Sequence, residues 1–440
     1  MLRNCPVIQC FEHDRLMVDD DGLFTRAHWR AIGEYNEKYK DRFLTLLPNG
    51  VKFSEYVGVI QVGNLTIEVL PKIDRMGGEK ADWQAVLLDM LRECRWMQVF
   101  AHEKAALRHK PNSILEAYVE LYLQACEAIL HEGLVKKYRQ ESSNLHVWKG
   151  KLNFTRQIRH NLVHQERFFT DHTIYDRENR FNQLLYKALN IIPNLTTNTG
   201  IRDKLSRLLL DFPEMQDIPV TAETFQQLVF DRKTTRYREA LEMAAMLLLN
   251  YRPDIRNGRH QVLAILFDMN ELWEEFCFRR LRAVMEPGWG ISRQNRVVFW
   301  QSESNQKWIK PDIVVKTPDG KTVIIDTKWK TPNGFVPSDD DLKQIFVYNK
   351  HWSSNKGVLL YPLNESGDPF QKKAGTYKIP GSTEQCECIV AKVDILTGGT
   401  VKRRVNMDFG RFVIEGLEGD SSDSPQIQQA KRLMEGFSNV

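Results

Sequence analysis

Lys310-Pro311-Asp312-Ile313-Val314-Val315, then Pro318-Asp319-Gly320, then Thr322-Val323-Ile324-Ile325-Asp326-Thr327-Lys328-Trp329-Lys330 is the stretch on which the fold reading turns. Its two β-branched runs are bounded by Pro, Asp and Gly, so they predict neighbouring strands joined as a hairpin. Each strand delivers one carboxylate to the same end of a sheet. Side chains alternate along a strand with a period of two, so Asp326 and Lys328 project from one face. Two acids and a lysine converging there suit phosphodiester hydrolysis. Hard oxygen ligands hold Mg²⁺, the metal activates water and offsets phosphoryl charge, and an ammonium orients or polarises the nucleophile. An isolated D-x-K triplet more often reads as a strand-end acid and a solvated edge lysine. The Pro-Asp strand before it and the apolar Val-Ile-Ile run that carries it favour a nuclease metal site.

The flanking segments extend this reading. From Asp268 to Met285, apolar residues recur at Leu272, Trp273, Phe276, Cys277, Leu281 and Val284, the repeat of an amphipathic helix that packs on a sheet. At about 100° per residue, Glu275 and Arg279 are expected on the outward face, and Glu274 on the flank of the apolar stripe. Glu274 is therefore the better candidate for a third carboxylate ligand. An ion pair with an arginine of its own helix is the alternative of equal weight. Downstream, Ser338 precedes Asp339, Asp340 and Asp341, an N-cap followed by acids that suit the positive end of a helix dipole. Gln344 and Tyr348 lie four residues apart on that helix, beside Leu342, Ile345 and Phe346. They can reach the site together, or serve as a structural amide and a core-edge tyrosine.

These residues together resemble the PD-(D/E)xK nuclease superfamily. Glu274 matches its first-helix acid, Asp312 the Pro-Asp acid, Asp326 and Lys328 the D-x-K pair, and Gln344 and Tyr348 the Q-x-x-x-Y motif of the RecB-like branch. Nearer the N-terminus, Glu55-Tyr-Val-Gly-Val-Ile-Gln-Val-Gly-Asn-Leu-Thr-Ile-Glu-Val-Leu-Pro-Lys-Ile73 is similar to the "VGVI … I-x-I-x-PKI" signature of the McrC family. Trp148-Lys-Gly-Lys-Leu152, Arg156-Gln157-Ile158 and Asp176-Arg-Glu-Asn-Arg-Phe-Asn182 resemble the middle of that family. The motifs occur in order from about residue 50 to about residue 400. The resemblance implies a Mg²⁺-dependent DNA endonuclease, the nuclease subunit of a modification-dependent restriction system of the methylcytosine type. It implies modified DNA as substrate and an McrB-like AAA+ GTPase hexamer as motor, whose nucleotide hydrolysis the chain stimulates. It also implies docking through the N-terminal portion, with Val57 to Ile73 either in the docking surface or filling the core of a small domain. Dimerisation of the nuclease domain is compatible with it. One departure is Trp329, which stands where a tyrosine is common and leaves the metal ligands intact.

Composition bounds these expectations. At 440 residues the chain can form two or three domains, and 42% hydrophobic with 27% charged residues is ordinary for a globular protein. There is no leader pattern, and no apolar run approaches the ~18 residues that span a bilayer, so a cytoplasmic protein without membrane association is expected. The seven cysteines are scattered and read as reduced thiols, since Cys386 and Cys388 lack a second ligand pair for zinc. A net charge of +4 is too mild to mark nucleic-acid binding. From Lys136 to Arg180, however, basic residues outnumber acids, with histidines interspersed; the stretch suits either phosphates or an acidic protein. No G-x-x-x-x-G-K-[ST] loop is present, so a motor must come from another polypeptide.

The expected architecture is multidomain α+β. A β-rich N-terminal domain covers 1–78, with one helix around Thr25 to Tyr39. A mainly helical middle covers 79–258, with an irregular basic segment near Trp148, and a C-terminal α/β PD-(D/E)xK domain covers 259–440. Hinges are expected at 76–79 and 252–258, and a polar connector at 419–425. Two rival functions share parts of this pattern. A stand-alone RecB-like repair nuclease gives no reason for the Val57 to Ile73 signature, and intact Asp312, Asp326 and Lys328 argue against a non-catalytic adaptor.

Overall fold

The computed structural model describes residues 6–19, 22–72, 80–94, 96, 113–252, 261–332, 334–363, 370–378, 386–397, 404–408, 410–411 and 413–414. The expected hinge at 76–79, most of the break at 252–258 and the connector at 419–425 lie outside them. Two compact units form. One draws on Met1–Val7, Ile60–Thr66 and Val99–Ile265, the other on Ile8–Val59, Ile67–Gln98 and Leu266–Val440.

In the first unit, helices Ile114–Glu132, Arg180–Ile191, Thr199–Asp211 and Arg238–Asn250 pack on one another. The Ile114–Glu132 helix is apolar around most of its circumference, so it is stabilised by burial rather than by one amphipathic face. Three fully buried tyrosines are tolerated because each phenol finds an acceptor. Tyr118 donates to Met243 O at 3.1 Å, Tyr122 to Leu185 O at 2.9 Å and Tyr237 to Asn182 Oδ1 at 3.0 Å.

The basic segment of this unit is irregular around Trp148, at 146–150, and regular on either side. Lys137–Leu145 and Phe168–Asp176 pair antiparallel along their whole length, Lys151–Leu152 adds a third short strand, and a helix spans Phe154–Asn161. The ribbon carries polar side chains on both faces, so no apolar alternation announced it. Cross-strand polar pairs take the place of a core, as between Gln140 and Thr173 at 2.9 Å and Ser142 and Asp171 at 2.5 Å.

The strands Tyr56–Val62 and Leu65–Leu70, which carry the McrC-like signature, are buried at every residue. Their apolar side chains therefore fill core, and the turn between them at Asn64 is exposed.

The second unit contains the helix Arg26–Lys38, capped by Thr25, and a small sheet in the order Arg15–Met17, Gly50–Phe53, Leu44–Leu47. It also holds a six-stranded mixed sheet in the order Gly290–Arg293, Ile313–Lys316, Thr322–Thr327, Lys356–Leu363, Glu387–Asp394, Phe370–Thr376. Ile313–Lys316 and Thr322–Thr327 form the expected antiparallel hairpin, closed by Gly320 at φ +79°. The strand Thr322–Thr327 runs parallel to Lys356–Leu363, which runs parallel to Glu387–Asp394. A parallel pair needs a crossover, and the helix Asp339–His351 supplies it, capped by Ser338. Ile345 and Tyr348 of that helix pack with Val314, Ile324, Leu359, Tyr361, Cys388 and Val390. The helix approaches so closely that a side chain at Gly357 would collide with Ile345 and Asn349.

Candidate active site

The register of the hairpin sets the geometry. Ile313 pairs with Ile325, so one step further Asp312 stands across from Asp326. Thr327 fixes Asp312: its backbone N–H and its hydroxyl both donate to Oδ2, at 2.7 and 2.9 Å. Asp326 is 1% exposed. Its Oδ2 lies 2.7 Å from Lys328 Nζ, and Oδ1 has no hydrogen-bond partner among the described residues. The Lys328 backbone N–H donates to Leu360 O at 2.9 Å, which extends the parallel ladder past Thr327 and returns the lysine to the face of Asp326.

A chain of hydrogen bonds then joins Gln344 and Tyr348 to Lys328. Lys328 Nζ donates to Gln344 Oε1 at 3.0 Å, and Gln344 Nε2 donates to the Tyr348 phenol at 2.8 Å. The phenol donates to Lys310 O at 3.1 Å. Burial pushes the carboxyls of Asp312 and Asp326 above their ordinary values, and the neighbouring Asp312 charge raises Asp326 further. Burial opposes the charge on Lys328, yet Asp326 holds the ammonium above its usual value.

Glu274, on the helix Met269–Val284, stands near Asp312. Burial and then the Asp312 charge push its pKa up, and Gln294 Nε2 donates to its Oε1 at 3.0 Å. The arginine partner considered for Glu274 is taken by its neighbour instead. Glu275 is buried, not outward-facing, and pairs with Arg279 of its own helix and with Arg293 of the first sheet strand. Two guanidinium groups make that burial tolerable.

Asp341 was read from sequence only as a helix-dipole acid, and it is also part of the cluster. It is buried, lies 2.6 Å from Lys330 Nζ and 3.9 Å from Lys328 Nζ, and accepts from the Tyr361 phenol at 3.4 Å. Its spacing of three from Gln344 was the available signal, because it puts both on one helix face. Thr327 and Gln294 were missed because only tertiary contact reveals what they touch.

Among the described residues, no three His, Cys, Asp or Glu side chains are grouped closely enough to hold a metal ion. The two strand carboxylates nevertheless fit Mg²⁺. Oδ1 of Asp326 and Oδ1 of Asp312 accept no hydrogen bond among the described residues, and one or two carboxylates with waters are the ordinary protein share of a Mg²⁺ shell. The six described cysteines are free thiols, and no described helix is long and apolar enough to cross a membrane.

Residues 51–362 match the family described as McrBC 5-methylcytosine restriction system component. No curated protein matches the chain. Among solved structures, the chain is similar to one in the refined half-complex from the tetradecameric assembly of Thermococcus gammatolerans McrB AAA+ hexamers with bound McrC. The TM-score is 0.65 at 20% identity, over 93% of this chain and 99% of that one. A second match, in the cryo-EM structure of the Thermococcus gammatolerans McrBC complex, has a TM-score of 0.49 and 22% identity, over 63% of this chain and 87% of that one.

Proposed function

The chain belongs to the McrBC family of 5-methylcytosine restriction system components, and from that membership we propose that it is the McrC-like subunit, a Mg²⁺-dependent endonuclease that cuts modified DNA. The observation that supports this most is the meeting of Asp312, Asp326 and Lys328 at one end of a mixed sheet, with two carboxylate oxygens left unbonded. In this reading, residues 259–440 form the nuclease domain.

Asp312 and Asp326 hold the metal, and Thr327 keeps Asp312 aimed at it. Bound there, Mg²⁺ lowers the pKa of a ligated water and offsets charge on the phosphoryl oxygens. Lys328 would face the developing negative charge on the phosphate, while Gln344 and Tyr348 fix its ammonium. Glu274 would act from beside Asp312, whose charge together with burial holds its carboxyl above its ordinary value.

The partner in this proposal is an McrB-like AAA+ GTPase ring, which supplies the nucleotide chemistry for which this chain has no phosphate loop. The similar Thermococcus gammatolerans structure is of McrB AAA+ hexamers with bound McrC, which supports the same kind of partner for this chain.

The test is Mg²⁺-dependent cleavage of methylated and unmethylated plasmid by the purified chain, with and without the GTPase and GTP, and with Asp326→Ala as control. Cutting of methylated DNA only when partner and GTP are present is expected. Cutting by the chain alone would replace this reading with a stand-alone nuclease, and no cutting in any condition would replace it with an adaptor.

A further inference from the structure

Between the strand Gly290–Arg293 and the strand of Asp312, the chain leaves the six-stranded sheet and forms a separate two-stranded hairpin, Val297–Gln301 with Gln306–Ile309. Both feet of this hairpin rest on the candidate site. At the first foot, Gln294 donates through its side chain to Glu274 at 3.0 Å and through its backbone N–H to Asp312 O at 3.1 Å. At the second, Lys310 O accepts the Tyr348 phenol at 3.1 Å, and the Lys310 charge acts on both Glu274 and Asp312. Whatever the hairpin holds is therefore held next to the carboxylates.

Its exposed side chains include aromatic rings and cations. Ile309 packs toward the core, whereas Trp308 on the alternate face is 43% exposed and Trp300 is 52% exposed. The Arg296 guanidinium lies 4.3 Å from the centre of the Trp308 ring, so arginine and indole present one combined surface. Among the described residues Arg296, Lys307 and Lys310 form no ion pair. Between 294 and 311 the sequence carries one acid, Glu303, against these three cations. Trp308 with Arg296 and Trp300 with its cross-strand partner Lys307 thus set an aromatic ring beside a cation on each face of the hairpin, which suits a ligand with apolar faces and negative charge.

We propose that the 297–309 hairpin is the substrate-strand clamp of this nuclease, with Arg296, Lys307 and Lys310 on phosphates flanking the scissile one and Trp308 and Trp300 against the sugars and bases. The inference rests on the endonuclease reading and adds the surface that grips the DNA. Aromatic rings give sequence-tolerant contact, and the cations give contact that salt weakens; neither selects a modified base.

The test measures binding of a fluorescent DNA duplex to the full-length Asp326→Ala protein as salt is varied, alongside the same protein carrying Lys307→Glu, Arg296→Ala with Lys307→Ala, or Trp308→Ala. Lys307→Glu is an exposed change and serves as the variant that keeps the fold. The double variant should lower the slope of log affinity against log salt by about 2, the share of two phosphate contacts. Trp308→Ala should weaken binding about tenfold with a smaller change of slope. If all three variants bind as the parent does while the wild type cuts DNA with its partner, the clamp is overturned and the nuclease reading stands. If the parent binds no DNA and the wild type cuts none, both fail.

Discussion

Trp329 donates its indole N–H to Glu12 Oε1 at 2.7 Å, across 317 positions of sequence. The residue after the site lysine is thereby tied to the N-terminal segment of its own structural unit. Glu12 Oε1 also accepts the Lys72 backbone N–H at 2.7 Å, and the Trp329 ring lies 5.5 Å from that of Trp273. Trp329→Phe keeps the ring contact and removes one of the two donors to Glu12 Oε1, so a loss of about 1 kcal/mol is expected from the missing hydrogen bond. Thermal melting checks it, and an unchanged midpoint would show that the bond contributes nothing.

Glu12 itself should make stability depend on pH. Burial pushes its carboxyl up to about 7, against an ordinary value of 4.5, and the hydrogen bonds from Lys72 and Trp329 only partly offset this. The folded protein keeps a proton that the unfolded chain releases above about pH 4.5. Stability is therefore full below that pH and falls as pH rises through about 7, by up to about 3 kcal/mol. Glu12→Gln cannot ionise. Relative to wild type it should gain stability between pH 5 and pH 8, and parallel melting curves for the two proteins across that range would sink the assignment.

Lys328 and Gln344 should separate in kinetics. Lys328→Ala removes the ammonium beside Asp326 and is expected to lower cleavage at least about a hundredfold. Gln344→Ala leaves the ammonium charged but frees it and the Tyr348 phenol, so a loss of about tenfold is expected. Single-turnover cleavage rates distinguish them, and equal losses would mean that Gln344 does more than position the lysine. Both variants should still assemble with the partner ring.

Gly357→Ala should destabilise the second unit by about 1–3 kcal/mol, because the added methyl enters the space of Ile345 and Asn349 beneath the crossover helix. Chemical denaturation measures this. Cleavage by the folded fraction should be retained, since the helix face that carries Gln344 is held by its other contacts.

Much of the site was legible because its residues lie close together in the sequence. Strand alternation alone put Asp326 and Lys328 on one face, and the four-residue spacing of Gln344 and Tyr348 put them on one helix face; in the structure these pairs are joined by an ion pair and a hydrogen bond. Periodicity misjudged Glu275, because a helical wheel counts apolar neighbours and has no way to register two guanidinium groups arriving to pair a buried acid. The 137–176 ribbon escaped because neither strand alternates apolar with polar residues, so its backbone pairing leaves no period-two pattern.

The sequence by itself determined what is local. It specified the hairpin closed by Pro318-Asp319-Gly320, the helix starts at Asp268 and Ser338, and the order of motifs that marks the family. Only the tertiary structure decided which distant groups meet. Glu12 reaches Trp329, Gln294 reaches Glu274, and Thr327 closes on Asp312, because contacts between residues far apart in sequence depend on how sheet and helices pack, and no periodicity encodes that packing.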